Sequence, residues 1–273
     1  MLFACPKCKE KLNILDTGVA RCDNGHCFDR AKAGYYNLLL GNSGGVHGDN
    51  REMVEARCAF LSRGYYEPLA NTVTELLLSH TDKCCTVLDS GCGEGYYTDF
   101  IERALTHRDG ESYVSAFDIS RDAVKAAHRR NANVSLCVAS SYDMPLADGS
   151  VDAVFNVFSP LALEETRRVL KDGGIFIMAF PGVEHLFALK RFIYDTPYKN
   201  KPEPTALSGF QLVEERHLAY EMDITGSADL QSLFMMTPYA YRTPPKAKEK
   251  IMTLDKLVCE ADFHILVYQK TNK

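Results

Sequence analysis

The chain has 273 residues, of which 46% are hydrophobic and 25% charged, the composition of an ordinary globular protein. Its formal net charge of −5 excludes a protein that coats nucleic acid through a broad basic field. No pattern typical of a secretory leader begins the chain, and no apolar run approaches the roughly 20 residues of a membrane helix. We therefore expect a cytoplasmic protein whose ten cysteines are reduced or bind metal.

Four potential metal ligands lie near the start of the chain. Two residues separate Cys5 from Cys8, and after thirteen further residues Cys22 precedes His26 by four positions. Each pair can occupy one tight turn, and the two pairs together can close a tetrahedron around zinc. Cys27 is an alternative to His26 as the fourth ligand. The spacing predicts a structural zinc site in a segment too small to fold on a core of its own.

We expect residues 1–37 to form this ribbon, with a hairpin turn at Thr17-Gly18, and the glycine-rich residues 38–50 to form a linker to a larger domain, residues 51–273. Local basic patches occur in the ribbon and near the carboxyl end. Such patches are usually solvated faces, and contact with RNA phosphate is the alternative. The basic residues are Lys7, Lys9, Lys11, Arg21, Arg30, Lys32, Arg242, Lys246, Lys248 and Lys250.

The larger domain shows two helices followed by alternating strands and helices. Helical spacing of apolar residues predicts helices at 52–63 and 66–78. Further helices are expected at 96–105, 121–130 and 161–170, and strands at 87–89, 113–117, 134–138, 151–158 and 175–180, the last after a turn at 171–174. This alternation predicts a parallel sheet with right-handed crossovers. Two apolar-alternating segments at 210–222 and 263–270 predict an antiparallel last pair.

A glycine loop follows the first strand of this domain. Asp89 ends the strand, and Gly91, Gly93 and Gly95 alternate where a helix should begin. Glycines at such a turn let the backbone pass close under a ligand and leave helix amides pointing at it. A dinucleotide loop has a different glycine spacing, and the carboxylates of Asp89 and Glu94 suit a cationic ligand. The loop predicts a small-molecule cofactor other than NAD; a glycine-rich turn without a ligand is the alternative.

Two later residues fall at the carboxyl ends of strands, where ligands of such sheets bind. Asp118 lies 23 residues past Gly95, near the distance at which an acidic residue meets a ribose hydroxyl. The alternative role for Asp118 is to cap the next helix. Ser140 lies where an adenine would be bordered.

The glycine loop resembles the first motif of class I S-adenosylmethionine methyltransferases, in which the acidic residue and the loop hold the amino-acid end of the cofactor. Across nearly the whole chain, the combination of motifs resembles the bacterial 23S ribosomal RNA guanine-N1 methyltransferases. The motifs are Cys5-x-x-Cys8, Cys22-x-x-x-His26, Phe28-Asp29, Gly34-Tyr35-x-Asn37-Leu38-Leu39, Gly48-Asp49, Glu52-Met53, Gly64-x-Tyr66-x-Pro68-Leu69, Cys92-Gly93-x-Gly95-Tyr96-Tyr97, Pro181-Gly182 and His185-Leu186.

This resemblance implies an α/β, Rossmann-like class I methyltransferase fold with a seven-stranded mixed sheet, an antiparallel last strand and a small amino-terminal zinc ribbon for RNA recognition. It implies transfer of a methyl group from S-adenosylmethionine to N1 of a guanine in hairpin 35 of 23S ribosomal RNA, by a homodimer. The segment from Asn156 to Pro160 is more similar to the guanine-748 subgroup than to the guanine-745 subgroup.

The resemblance also implies roles for four side chains. Tyr66, which the residues alone would place in the core, is expected to close over the sulfonium by a cation–π contact. His185, which would otherwise be a surface histidine, is expected beside the cofactor and is the candidate proton acceptor. Asn156 and Ser159 are expected to orient the guanine by hydrogen bonds.

Two other classes of function remain open from the sequence. A methyltransferase of small molecules would share the larger domain but has no need of a zinc ribbon. A non-catalytic RNA-binding factor would share the ribbon but has no need of an intact glycine loop.

Overall fold

The computed structural model describes residues 2–41, 48–108, 110–202 and 204–271, without the side chain of Lys246. Residues 42–47, the middle of the expected linker, lie outside the described residues. Within the described ranges, no helix combines the length and the apolar character needed to cross a membrane.

The amino-terminal segment contains a small antiparallel sheet. Its strands are β1 (Asn13–Ile14), β2 (Ala20–Arg21) and β3 (Cys27–Phe28), in the order β1-β2-β3. The hairpin expected at Thr17-Gly18 is confirmed, since it joins β1 to β2. The turn between the two metal-ligand pairs is therefore a local hairpin.

The larger sheet has eight strands in the order β10-β11-β9-β8-β5-β6-β7-β4. Strand β11 is antiparallel to both β9 and β10, and the other neighbours are parallel. The strands are β4 (Tyr36–Asn37), β5 (Thr86–Ser90), β6 (Tyr113–Asp118), β7 (Ser135–Val138), β8 (Val151–Val157), β9 (Leu170–Pro181), β10 (Phe210–Thr225) and β11 (Lys256–Lys270).

Helices cover both faces of this sheet and its carboxyl edge. The first is capped by Asn50, whose side-chain oxygen accepts from the Met53 amide at 3.0 Å. The helices are α1 (Arg51–Leu61), α2 (Glu67–His80), α3 (Tyr96–Thr106), α4 (Arg121–Arg130), α5 (Leu163–Val169), α6 (Phe187–Ile193), α7 (Ser227–Met235), α8 (Tyr239–Arg242) and α9 (Pro245–Met252).

The expected mixed sheet with an antiparallel last pair is confirmed, but the expected number of strands is wrong. The eighth strand is β4, which pairs with Cys137 and Val138 of β7. A two-residue strand has no detectable periodicity, and it forms because an exposed sheet edge offers unpaired backbone groups. The turn expected at 171–174 lies within β9 as an irregularity: Leu170 pairs with Val151 and Ile175 with Ala153, so residues 171–174 oppose Asp152 alone, and Gly173 has a φ of 73°.

The parallel strands of the sheet are buried on both faces, whereas most of the edge strand β10 is exposed. The ribbon belongs to the core of one face: Phe3, Leu12 and Ala20 are buried in the same apolar cluster as Phe117 and Met144. Because the ribbon shares this core, it is held against the β7 edge of the sheet.

Hydrogen bonds also tie the ribbon to the sheet. The Ala4 amide donates to the Pro145 carbonyl at 2.7 Å, and Lys9 forms an ion pair with Asp143. Both contacts place the first metal-ligand turn beside the loop that follows β7.

Candidate active site and metal centre

The four expected metal ligands converge in the ribbon. The Sγ atom of Cys8 lies 3.7 Å from that of Cys22, and Nδ1 of His26 lies 3.5 Å from Sγ of Cys5 and 3.4 Å from Sγ of Cys22. Zinc bonds of about 2.3 Å to sulfur and 2.0 Å to nitrogen give tetrahedral edges of about 3.5–3.8 Å. The donor set and its spacing therefore fit zinc with every position filled by protein.

The structure separates the two candidates for the fourth ligand. His26 belongs to the cluster, whose donor atoms all lie within 4.8 Å of one another. Cys27 is exposed, and its thiol donates to the Gly25 carbonyl at 3.5 Å. Adjacent residues point apart here, and Cys27 points away from the site. A hydrogen bond from the Asn24 side chain is the largest influence that lowers the pKa of the Cys8 thiol to about 6, which favours the thiolate that zinc binds.

The glycine loop lies at the carboxyl end of β5, as expected. A Cβ on Gly91 would lie 1.9 Å from Oγ of Ser159, and a Cβ on Gly95 would lie 2.9 Å from Cβ of Ala127. Both residues also have positive φ angles, of 86° and 82°. A side chain at Gly91 would displace the loop after β8, and one at Gly95 would displace α4.

Asp89 is buried at the base of this loop. Its Oδ2 accepts a 2.5 Å hydrogen bond from Oγ1 of Thr98 on α3. Burial raises the pKa of Asp89 to about 8, with a further rise from Asp118 against the lowering effect of the Thr98 bond. A cationic ligand beside Asp89 would lower the pKa of this buried carboxyl group, because a positive charge stabilises the carboxylate.

Glu94, inside the loop, is also buried but is partly neutralised. Its Oε2 forms an ion pair with Nη2 of Arg130 at 2.6 Å. Burial raises the pKa of Glu94, and Arg130 opposes that rise. Among the described residues, Oε1 of Glu94 is buried and has no hydrogen-bond partner. That oxygen is a free acceptor inside the loop.

Asp118 lies beside the loop at the end of β6. Its carboxylate accepts from the Gly93 amide at 3.0 Å and from the Ser120 amide at 2.8 Å. Ser120 in turn caps α4 by accepting from the Ala123 amide at 3.2 Å. Asp118 therefore links the glycine loop to the start of α4. Ser140 lies at the end of β7, where its Oγ accepts from the Tyr142 amide at 3.2 Å.

Tyr66 and His185 lie together behind this edge of the sheet. The Tyr66 hydroxyl is 3.2 Å from Nε2 of His185, and the amide of Asp262 donates to Nδ1 of the same ring at 3.3 Å. Burial lowers the pKa of His185 to about 3, so the ring is neutral. Since Nδ1 accepts, Nε2 carries the proton and donates to Tyr66. Both ring nitrogens are engaged, an arrangement that disfavours the expected role of His185 as proton acceptor.

Asn156 and Ser159 lie in the segment that leaves β8. The Asn156 side-chain amide donates to the Ser90 carbonyl at 3.2 Å and to the Pro160 carbonyl at 3.4 Å, and the residue is buried. It fastens this segment to the end of β5. Ser159 is half-buried, with its hydroxyl directly over Gly91.

Three further residues lie at the site, although the sequence alone assigned them no role there. Phe158 is 41% exposed and has a φ of 57°, a left-handed conformation that is strained for an aromatic residue. Its ring stacks on His185, with ring centroids 6.2 Å apart. The Tyr97 hydroxyl is buried, and among the described residues it has no partner. Two of these residues had a sequence signal: Phe158 lies between Asn156 and Ser159, and Tyr97 ends the glycine-loop motif.

The third residue is Arg57 of α1, which lies above the loop. It forms an ion pair with Asp49, donates to the Met236 carbonyl at 3.1 Å, and has Nη1 3.8 Å from where a Cβ of Gly93 would lie. Nothing in the helical pattern of α1 distinguishes Arg57 from a solvated surface residue. Its position follows from the packing of α1 on the carboxyl edge of the sheet.

These residues fit a cationic sulfonium cofactor. The glycine loop and the strand end before it hold two buried acidic groups: the carboxyl group of Asp89, which accepts from Thr98, and Oε1 of Glu94, which has no hydrogen-bond partner among the described residues. Acidic groups of this kind attract a cation and repel a pyrophosphate. The residues that would hold the cofactor are Tyr66, Asp89, Gly91, Gly93, Glu94, Gly95, Asp118, Ser140 and His185.

Two family models match the chain. A model described as "Methyltransferase domain" matches residues 87–174, and the zinc-ribbon model described as "RlmA, N-terminal" matches residues 3–41. The first range contains the glycine loop and Asp118, and the second contains all four metal ligands. S-adenosylmethionine and zinc are accordingly the cofactors of this protein.

Three relatives carry related names. A Micromonospora griseorubida protein is 32% identical over 203 residues, covering 68% of this chain and 67% of its own length, and a Bacillus subtilis protein is 27% identical over 278 residues, covering 98% and 97%. The names of both contain "Putative 23S rRNA (guanine-N(1)-)-methyltransferase". The 23S rRNA (guanine(748)-N(1))-methyltransferase of Streptomyces fradiae is 36% identical over 191 residues, covering 68% of this chain and 65% of its own length.

The glycine loop, the zinc ribbon and the names of these relatives indicate the same family. The chain belongs to the family of 23S rRNA (guanine-N1)-methyltransferases, which depend on S-adenosylmethionine.

Proposed function

We propose that this protein methylates N1 of a guanine in hairpin 35 of 23S ribosomal RNA, in the cytoplasm, and that the target is of the guanine-748 type. The observation that carries the proposal is the packing of a zinc ribbon against the cofactor-side edge of a methyltransferase sheet. The name of the Streptomyces fradiae relative supports the choice of guanine.

The ribbon packs beside the loop that follows β7, at the same end of the parallel sheet as the glycine loop, which supports an RNA that contacts both. Lys9 of the ribbon pairs with Asp143, in the loop that begins at Ser140 and borders the expected adenine. Exposed basic residues on the ribbon supply the phosphate contacts that RNA requires. They are Lys7, Lys11, Arg21, Arg30 and Lys32.

Phe158 is the residue proposed to receive the base. Its ring is 41% exposed and stacks on His185, and its strained backbone holds the ring there. Stacking of a base on an aromatic ring contributes about 1–3 kcal/mol. The ring would place the guanine edge towards the cofactor, which removes much of the entropic cost of alignment.

When bound, S-adenosylmethionine supplies an electrophilic methyl group. The protein's own part is to align N1 and to allow its proton to leave. Asn156 holds the loop that carries Phe158 and Ser159, and Ser159 donates or accepts a hydrogen bond at the base edge. We assign His185 to positioning Tyr66 rather than to proton transfer, since both ring nitrogens are engaged. Solvent water then takes the N1 proton of the guanine.

The proposed assembly is a homodimer. The tip of the ribbon hairpin exposes Ile14 and Leu15, which are 53% and 42% accessible. Burial of two adjacent exposed apolar side chains under a second protein surface would stabilise an assembly. Sedimentation equilibrium of the purified protein and of an Ile14→Ser, Leu15→Ser variant tests whether this tip belongs to the dimer contact.

Primer extension on ribosomal RNA tests the RNA substrate. An N1-methyl group blocks base pairing, so reverse transcriptase stops at the modified guanine. We expect one stop in hairpin 35 in cells that contain the gene and no stop in cells without it or with an Asp89→Ala variant. The proposal fails if the purified protein leaves the hairpin unmodified while it transfers methyl groups to small phenols or quinones.

A further inference from the structure

A second group of metal-binding side chains lies on the sheet, away from the ribbon. It consists of His217 on β10 and of Asp262 and His264 on β11, with one ligand atom from each within 4.8 Å of the others. Neither the cofactor pocket nor the zinc ribbon uses these side chains.

The sheet itself brings the three side chains together. Asp262 and His264 are two residues apart on β11 and therefore point to the same face. His217 and His264 are directly opposed across the antiparallel β10–β11 pair. Ligands on two paired strands are held by the backbone ladder, so the group needs no loop to bring it together.

Contacts with neighbouring residues hold the side chains of His264 and Asp262 in place. The His264 ring lies between His217, with ring centroids 4.7 Å apart, and Phe180, at 5.7 Å, and is nearly parallel to both. The Asp262 carboxylate is buried, and its Oδ2 accepts from the Glu184 amide at 2.7 Å. That hydrogen bond turns Oδ1 towards Nε2 of His217, also at 2.7 Å. Such outer contacts orient the ligands of protein metal sites.

The donor set selects the class of metal. Two imidazole nitrogens and one carboxylate oxygen suit Zn²⁺, Ni²⁺, Cu²⁺ or Co²⁺, whereas Mg²⁺ and Ca²⁺ prefer oxygen ligands alone. Metal–nitrogen bonds of about 2.0–2.1 Å require donor atoms roughly 3.0–3.4 Å apart. The 2.7 Å contact between His217 and Asp262 has to lengthen slightly. The His217 ring is nearly parallel to that of His264 and has to turn before both rings can direct a nitrogen lone pair at one ion, a movement for which its half-exposed side chain has room. Glu215, with Oε1 3.6 Å from Nδ1 of His264, is at hand as a fourth ligand.

We propose that His217, Asp262 and His264 form a second metal site, which binds a divalent transition metal and leaves positions open to solvent. The site adjoins the cofactor pocket through one residue. The amide of Asp262 donates to Nδ1 of His185, while its carboxylate is a metal ligand.

Metal uptake by the zinc-loaded protein tests this proposal. The protein is dialysed to equilibrium against micromolar Zn²⁺, and bound zinc is measured by elemental analysis. We expect two zinc ions per chain, one in the ribbon and one at the new site. A His217→Asn, His264→Asn variant should retain the ribbon zinc and bind the second ion at least tenfold more weakly. His107→Asn, which changes another exposed histidine, is the matched control and should bind two.

Cobalt distinguishes the two sites in the same protein. Co²⁺ added to protein that holds zinc in the ribbon alone should give weak visible absorption without the charge-transfer bands that thiolate ligands produce. A wild-type chain that takes up no metal beyond the ribbon zinc would overturn the proposal. So would a double variant with unchanged circular dichroism and wild-type uptake.

Discussion

The hydroxyl of Tyr66 and Nε2 of His185 lie 3.2 Å apart, and both side chains are buried. The two residues are 119 positions apart in the chain. Their contact joins the start of α2 to the turn after β9, directly behind the glycine loop. It is the polar centre of an aromatic cluster that also contains Phe158 and Phe263.

Removing both partners of this bond should cost less than the sum of the costs of removing each one. Tyr66→Phe leaves the buried Nε2–H of His185 without an acceptor, and we expect a loss of about 1–3 kcal/mol in the free energy of unfolding. The Tyr66→Phe, His185→Gln double variant should lose less than the sum of the single losses. Urea denaturation of the four proteins measures this coupling, and strictly additive losses would contradict it.

His185 should also make the protein less stable in acid. Burial lowers its pKa from 6.5 to about 3, so the unfolded state binds a proton at a higher pH than the folded state does. Its contribution is complete above pH 6.5 and is lost as the pH falls towards 3, by up to about 1.4 kcal/mol per pH unit. Urea midpoints at several pH values should show a shallower acid slope for His185→Gln. An unchanged slope would mean that the ring is protonated in the folded protein.

Asp89 should have the opposite effect on how the stability of the protein depends on pH. Its pKa is raised from 3.8 to about 8, so the folded protein without cofactor keeps a proton that the unfolded chain has lost. Stability from this group is present below pH 3.8 and is lost as the pH rises to about 8. Asp89→Asn should therefore remove a decline in unfolding free energy across this range. Urea denaturation at pH 5, 6.5 and 8 checks it, with Asp152→Asn at a half-exposed position as control.

Phe158→Ala should reduce RNA methylation while it leaves cofactor affinity unchanged. Loss of base stacking worth about 1–3 kcal/mol corresponds to a roughly fivefold to 150-fold lower single-turnover rate at subsaturating RNA. Phe158→Gly should be no more active, although it also relieves the positive φ. Tyr113→Ala removes an exposed ring at the opposite end of the sheet and should match wild type. Equal rates for Phe158→Ala and wild type would exclude the base-stacking role.

Removal of the ribbon zinc should separate RNA recognition from cofactor binding. A Cys8→Ser, Cys22→Ser variant loses two of the four ligands, and we expect its ribbon to unfold while the sheet persists. Calorimetry should find S-adenosylmethionine affinity within about threefold of wild type, and methylation of the RNA hairpin should fall at least a hundredfold. Cys27→Ser should behave as wild type, since that thiol points away from the site. Zinc loss from Cys27→Ser would reverse this assignment.

Local spacing accounts for the features that were predictable. The metal ligands lie in two short turns, and the glycine loop spans a few residues between β5 and α3. In both, short-range geometry brings the functional atoms together without help from distant residues. The alternation of strands and helices likewise predicted the parallel sheet and its antiparallel last pair.

The number of strands and the surroundings of the site required the tertiary structure. Strand β4 exists because Tyr36–Asn37 meets the free edge of β7, a meeting that a two-residue segment cannot signal. Arg57 belongs to the site because α1 packs over the glycine loop. Long-range packing brings these groups into contact, and local spacing carries no information about it.

The sequence by itself therefore determined three of the four ligands of the zinc ribbon, the cofactor class and the class of fold. Only the tertiary structure decided that His26 rather than Cys27 faces the metal cluster, that both nitrogens of His185 are engaged, and that His217 opposes His264. The physical reason is that strand register and burial, which set these contacts and the pKa of His185, arise from residues far apart in the chain.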